Sequence, residues 1–202
     1  MKRFIWLTLM VPLLSGCITL LPKAAPVQLY QFGATGPTVA PAAGRKVALT
    51  RTGGTFARAS AGDKILTIFG NQVAYLAQAR WVAPATTLFD EAVNQGFNAS
   101  SGPARLASRV EPAHPAYALR LDVEQFAVVY DRGTKAAPKV VIATHLVLSQ
   151  IEARSVVLET TVRVEQRSSD NRVGSIVAAF DQASGEVIGE IVERCNQSVA
   201  AS

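Results

Sequence analysis

Between Tyr117 and Glu165 apolar and polar residues alternate so regularly that the chain is committed to a sheet with one buried face. Tyr117, Leu119, Leu121 and Val123 share one side, with Arg120, Asp122 and Glu124 on the other. At Gln125 the phase slips and Phe126, Val128 and Tyr130 take over the apolar side, as one extra residue in a bulge would produce. Val140 to Gln150 is apolar on both phases and suits a central strand. Leu158, Thr160, Val162 and Val164 then alternate with Glu159, Thr161, Arg163 and Glu165. The short connections at 131–138 and 152–155 make these three strands an antiparallel meander.

The other elements are arranged around that meander. Val27 to Phe32, Lys46 to Thr50 and Ile65 to Phe69 read as strands, separated by a Gly/Pro-rich loop from Gly33 to Gly44 and by the break Thr52-Gly53-Gly54-Thr55. Phe56 to Ala61 is ambiguous, and Val73 to Trp81 reads as a short extended segment crossing the domain surface. Pro84 fits the first turn of a helix, where its missing amide hydrogen costs nothing. Leu88, Phe89, Ala92, Val93 and Phe97 recur at helical spacing, which predicts a helix of about 13 residues closed by the stretch from Gly96 to Gly102. Leu106 to Val110 is a strand candidate, followed by the turn Pro112-Ala113-His114-Pro115. Ser168, Ser169, Asp170 and Asn171 offer N-cap side chains. From Val173 on, Ile176, Val177, Phe180, Val187, Ile188, Ile191 and Cys195 trace one stripe of a long C-terminal helix. Gly185 and Gly189, four apart on it, are read as close packing on the sheet. The predicted fold is α+β: an antiparallel β-sheet with two amphipathic helices packed on one face.

Lys2 and Arg3, the apolar run Phe4 to Leu14, and Ser15-Gly16 before Cys17 have the three-part layout of an export signal. A membrane span needs about 20 apolar residues, whereas Pro12, Ser15, Gly16 and Pro22 interrupt this one. Leu14-Ser15-Gly16-Cys17 resembles a bacterial lipobox, with cleavage between Gly16 and Cys17. The expected organisation is a signal peptide over 1–16, a lipid-anchored tether over 17–26 and a single domain over 27–202. Cys17 would carry an N-acyl chain and an S-diacylglycerol, and several chains on one residue give the stable attachment that a single chain cannot. Ile18 rather than Asp follows the cysteine, which favours the inner leaflet of the outer membrane, facing the periplasm.

The net charge of +5 includes Lys2 and Arg3 and is dispersed, so it gives no basic stripe for nucleic acid. Half the chain is apolar, as a folded domain requires. Catalytic or metal constellations are not evident. The two histidines, His114 in a turn and His145 in the most apolar strand, have no Cys, His or carboxylate neighbours at ligand spacing. No nucleophile elbow, phosphate loop or dinucleotide fingerprint occurs. Neither catalytic residues, metal nor cofactor beyond the lipid is expected. Cys195, left without a partner if Cys17 is acylated, reads as a small buried hydrophobe on its helix.

Taken in order, several short blocks resemble the ABC-type transport auxiliary lipoproteins, the PqiC-like, MCE-associated group. They are the lipobox at 14–17, the Tyr30 strand, and the block from Ile65 through Tyr75 and Arg80-Trp81 to Pro84 and its helix. Leu119 to Phe126, the strands after it and the closing helix continue the likeness. Ala83 stands where the family carries an acidic residue before the proline. The resemblance implies an outer-membrane or periplasmic accessory that docks to or caps an MCE-domain protein served by an ABC permease and ATPase. Such a system moves lipids or other hydrophobic molecules across the envelope, and assembly into a homo-oligomeric ring would suit it. Tyr75, Arg80 and Trp81 are residue types enriched at binding hot spots and form the candidate interaction surface. Trp81 equally fits a plug in the helix–sheet core. Two other readings stay open: a stand-alone periplasmic carrier with a hydrophobic ligand between helix and sheet, and a scaffold for another envelope complex.

Overall fold

The structure, a computed structural model, describes residues 26–33, 46–108 and 114–201. Along the chain come β1 (Gln28–Tyr30), β2 (Val47–Arg51), β3 (Lys64–Phe69), β4 (Gln72–Trp81), α1 (Ala85–Ala99) and β5 (Ala104–Leu106). They are followed by β6 (Tyr117–Val129), β7 (Lys139–Gln150), β8 (Ser155–Arg167) and α2 (Val173–Ala200). Among the described residues the architecture is α+β, one mixed eight-stranded sheet with two α-helices.

The meander forms as its alternation predicts. β6 pairs antiparallel with β7 from Tyr117↔Gln150 to Val129↔Lys139, and β7 pairs antiparallel with β8. The register shifts between Val123 and Gln125, which leaves Glu124 as the extra residue of a bulge. That insertion lets Tyr117, Leu119, Leu121 and Val123, then Phe126 and Val128, all face the same core.

The rest of the sheet departs from the antiparallel expectation. β2 runs parallel to the start of β6 (Leu49↔Tyr117 to Arg51↔Leu119), and β3 runs parallel to its end (Thr67↔Val128, Ile68↔Val129). Phe56 bridges Val123 between them, Ala57 N donates to Val123 O, and Val123 N donates to Thr55 O. Residues 47–68 therefore form one interrupted course along β6. Alternation could not reveal this, because it records which face is buried and not the direction of the neighbour. Gly54 makes the close passage possible. Its φ is +113°, and a side chain there would run into the Leu121 backbone carbonyl. β5 extends the sheet beyond β2, also in parallel. It lies two to four residues before the expected strand, whose end falls outside the described residues.

α1 starts after Pro84, which serves as its N-cap, and buries Ala85, Leu88, Phe89, Ala92, Val93 and Phe97. α2 follows the predicted stripe, burying Ile176, Phe180, Val187, Ile188, Ile191 and Cys195. Its N-cap is Arg172, with no side-chain cap. Of the predicted caps, Asp170 acts two positions outside, its carboxylate accepting from Arg172 N at 2.8 Å. Between the helices and the sheet, Phe32, Trp81, Phe126 and Phe180 interlock at ring-centroid distances from 4.9 to 6.4 Å. Burial of these large rings is the main stabilising contribution at the centre of the domain.

Candidate functional site

The segment expected to cross the surface is a ten-residue strand, and its register decides the fate of every candidate on it. β3 and β4 form a hairpin around Gly70 (φ +55°), with Phe69↔Gln72, Ile68↔Val73 and Leu66↔Tyr75 in register. The next pair is Lys64↔Arg80, so Leu76, Ala77, Gln78 and Ala79 all lie against Ile65 alone. Gln78 turns this wide bulge through the left-handed region at φ 56°. Up to Tyr75 the strand stands clear of the core. After the bulge it re-enters the sheet, held by Trp81 N to Asp63 O and by pairing with β1.

The bulge separates the three residues that the sequence had grouped. Tyr75 is 45 % exposed, its hydroxyl donating to Ala59 O at 3.1 Å and its ring carrying Lys64 Nζ 5.1 Å from the centroid. Arg80 is half-buried and holds Asp63 at 2.7 Å, which lowers the Asp63 carboxyl below its ordinary range. Trp81 is only 2 % exposed, and its ring meets Phe32 and Phe180 edge-on. It does not belong to a contact surface. Of its two readings, the core plug holds, because the strand past Ala79 is covered by α2 and by Phe32.

Sequence reasoning missed the exposed apolar side chains at both ends of β4. Val73 is 61 % exposed and Phe69 42 %, at the hairpin tip, and Val27, Leu29 and Val82 are exposed on and beside β1. Val73 and Phe69 flank the Gly70-Asn71 turn, and a tip beyond the reach of neighbouring strands was the available signal.

The outer face of the sheet carries a set of paired polar side chains beside the buried Ala127, Val141 and Ala143. Asp122 accepts from Thr55 N at 2.9 Å, from Thr55 Oγ1 at 2.8 Å and from Arg120 Nε at 2.8 Å. Burial pushes its pKa up, but the bonds from Thr55 and Arg120 outweigh this and the net shift is downward. His145 lies on this same face, with Nε2 3.3 Å from Glu159 Oε1 and Nδ1 3.9 Å from Asp122 Oδ2. Further along, Lys139 and Arg163 both bind Glu165, and Arg167 binds Asp131 at 2.6 Å. Among the described residues no group of three or more His, Cys, Asp and Glu side chains is placed to hold a metal ion.

Gly185 and Gly189 do not pack on the sheet. A side chain at either would meet nothing within 4 Å. They floor an open groove of about 330 Å³ between α1 and α2, together with Ala92, Gly96 and Ala99 and with Asp181 and Glu193 at its sides. Cys195 is buried on the same helix, and burial pushes its thiol up to about 12. No described helix is long and apolar enough to cross a membrane. Gly16, Cys17, the signal segment and nearly all of the tether lie outside the described residues.

Known structures share this arrangement. Protein XCC0632 from Xanthomonas campestris is 22 % identical with a TM-score of 0.68, the match covering 81 % of this chain and 93 % of that one. A second, uncharacterised protein is 14 % identical with a TM-score of 0.66, over 85 % of this chain and 99 % of that one. The hypothetical protein CT253 from Chlamydia trachomatis is 12 % identical with a TM-score of 0.53, covering 78 % and 99 % respectively. At these identities the likeness is one of fold. Among curated proteins none matches this sequence. A family model, however, matches residues 57–192, from the course along β6 to the last turns of α2. The chain belongs to the family of the ABC-type transport auxiliary lipoprotein component.

Proposed function

We propose that this protein is the membrane-anchored periplasmic accessory of an MCE-type ABC transport system, which moves lipids or other hydrophobic molecules across the bacterial envelope. Membership of the auxiliary lipoprotein family, over residues 57–192, carries this reading. In it, Cys17 bears the N-acyl and S-diacylglycerol chains and holds the protein to the inner leaflet of the outer membrane, facing the periplasm. The folded domain is a non-catalytic adaptor that docks to or caps the MCE-domain protein, which is in turn served by the permease and ATPase. Self-assembly into a ring is part of the proposal. Among the described residues β1, β5 and β8 are sheet edges, and sheet edges are ready templates for strand-to-strand contact.

The test is capture from detergent-solubilised membranes with a C-terminally tagged chain. Enrichment of the MCE-domain protein and its permease is the expected result, and capture that never includes either would reject the reading. Cys17→Ala should leave the membrane fraction, fold normally and fail to support transport.

The groove between α1 and α2 favours a second reading, a carrier of a small hydrophobic ligand, since about 330 Å³ falls at the lower end of ligand-pocket sizes. A ligand between helix and sheet would have to displace the aromatic cluster that fills that space. Native mass spectrometry separates carrier from adaptor: co-purifying lipid supports the carrier, and an empty domain supports the adaptor.

A further inference from the structure

The hairpin tip of β3–β4 and the N-terminal chain leave the domain toward the same end. β1 runs parallel to β4, with Gln28↔Ala79, and β4 runs away from the Gly70 turn, so the chain enters β1 from the turn side. Because of the bulge, β4 from Arg80 back to Gln72 advances only as far as β3 from Lys64 to Phe69, about 17 Å. The chain from Cys17 to Gln28 reaches at most about 37 Å when fully extended. With the tip turned toward the membrane, a lipid on Cys17 therefore leaves it at most about 20 Å from the surface at full stretch of the tether, and lets it touch the surface at shorter extensions.

The chemistry of this end suits a lipid surface. Phe69 and Val73 stand exposed at the tip, with Tyr75 just behind them. Tyr130 N donates to Ile68 O, which sets the connection between β6 and β7 beside the tip. That connection presents Arg132 and Lys135, both exposed and without a carboxylate at ion-pair distance among the described residues. The carboxylates nearby are already engaged, Asp131 by Arg167 and Glu165 by Lys139 and Arg163. Arg172, its side chain 88 % exposed and 3.8 Å from Asp170, joins the same end through the bond from Asn171 Nδ2 to Thr134 O. The helical layer has the opposite character. α1 carries Asp90 and Glu91, and α2 carries Asp181, Glu186, Glu190 and Glu193 against Arg194 as its one cation. An anionic surface thus attracts the tip end and repels the helix face.

We propose that the β3–β4 tip and the β6–β7 connection dock on the lipid surface that holds Cys17, Phe69 and Val73 entering the boundary between headgroups and acyl chains while Arg132 and Lys135 meet anionic headgroups. This rests on the reading of Cys17 as the lipid-bearing residue. Exposed apolar side chains combined with flanking cations are the two ingredients of interfacial binding, and Tyr75 sits where an amphipathic ring favours the headgroup level. Docking fixes the orientation of the domain, with β3, β6 and α2 standing away from the membrane and the β7–β8 turn at the far end.

The test uses the full acylated protein in vesicles of phosphatidylcholine and phosphatidylglycerol at roughly 3:1. Nitroxide is attached at Val73→Cys or at Val156→Cys, the latter exposed beside the β7–β8 turn. Buried Cys195 stays unlabelled. Relative to the Val156 site, the Val73 site should collide several-fold more with oxygen than with a water-soluble nickel chelate. Combining Phe69→Ser, Arg132→Gln and Lys135→Gln should return the Val73 label to water while the protein still floats with the vesicles. A Val73 label fully open to the chelate in floating protein would overturn the docking and leave the lipid anchor standing. Protein that does not float would overturn the anchor and the docking together. Shielding that requires another protein rather than lipid would overturn lipid docking in favour of a protein interface.

Discussion

The indole of Trp81 meets the ring of Phe180 edge-on, with centroids 5.1 Å apart and planes at 89°. That contact ties the end of β4 to α2 across the core, with Phe126 against both rings and Phe32 against Trp81. The segment that carries Tyr75 into solvent is thereby anchored at its other end in the most densely packed part of the domain.

Truncating Trp81 should be costly and truncating Tyr75 cheap. Trp81→Ala removes a ring that is 2 % exposed, and a destabilisation of about 3–5 kcal/mol is expected. Tyr75→Ala loses a half-exposed ring and one surface hydrogen bond and should change stability by less than about 1 kcal/mol. Urea unfolding of the two variants measures both. Equal losses would mean that the bulge does not separate core from surface.

The passage of residues 52–57 along β6 depends on Gly54 far more than on Gly53. Gly53→Ala meets open space at φ +50° and should cost about 1 kcal/mol. Gly54→Ala, at φ +113° with the Leu121 carbonyl in the way, should cost about 3 kcal/mol or prevent folding. Thermal unfolding midpoints of the pair would show whether this course is as tight as its hydrogen bonds imply.

Gly185 and Gly189 should behave as ordinary helical glycines. With nothing near their missing side chains, Gly185→Ala and Gly189→Ala should each stabilise the domain by about 0.8–1 kcal/mol through helix propensity. Reduced capture of a partner by the stabilised double variant would show that the groove is an interface.

Asp131 gives the acid limb a defined signature. The hydrogen bond from Arg167 outweighs the upward push of burial and, with a backbone hydrogen bond and smaller charge effects, lowers its pKa from the ordinary 3.8 to about 2. A depressed carboxylate pKa stabilises the folded state above the unfolded value. That contribution is lost as pH falls from about 3.8 through about 2. Carboxyl-carbon NMR should place the Asp131 titration near 2, and Arg167→Gln should move it back toward 3.8. An unchanged titration in that variant would remove Arg167 as the cause.

Much of the architecture was legible because burial on one side leaves a local trace. The meander, the slip near Gln125 and the stripes of both helices follow from periodicities of two and 3.6 that any one-sided burial imposes. The candidate surface was less legible. Tyr75, Arg80 and Trp81 sit close together in sequence, and regular alternation would assign Tyr75 and Trp81, six residues apart, to the same face. A bulge opposite Ile65 made the difference between an exposed ring and a buried one.

By itself, the sequence determined the α+β class and which residues of each long element turn inward. Only the tertiary structure decided that β2 and β3 share one parallel course along β6, that Trp81 is core while Val73 and Phe69 are surface, and that Gly185 and Gly189 face an open groove. The physical reason is the same in each case. Periodicity records that one side of an element is covered. It carries no information about which distant segment covers it, in which direction that segment runs, or where the cover stops.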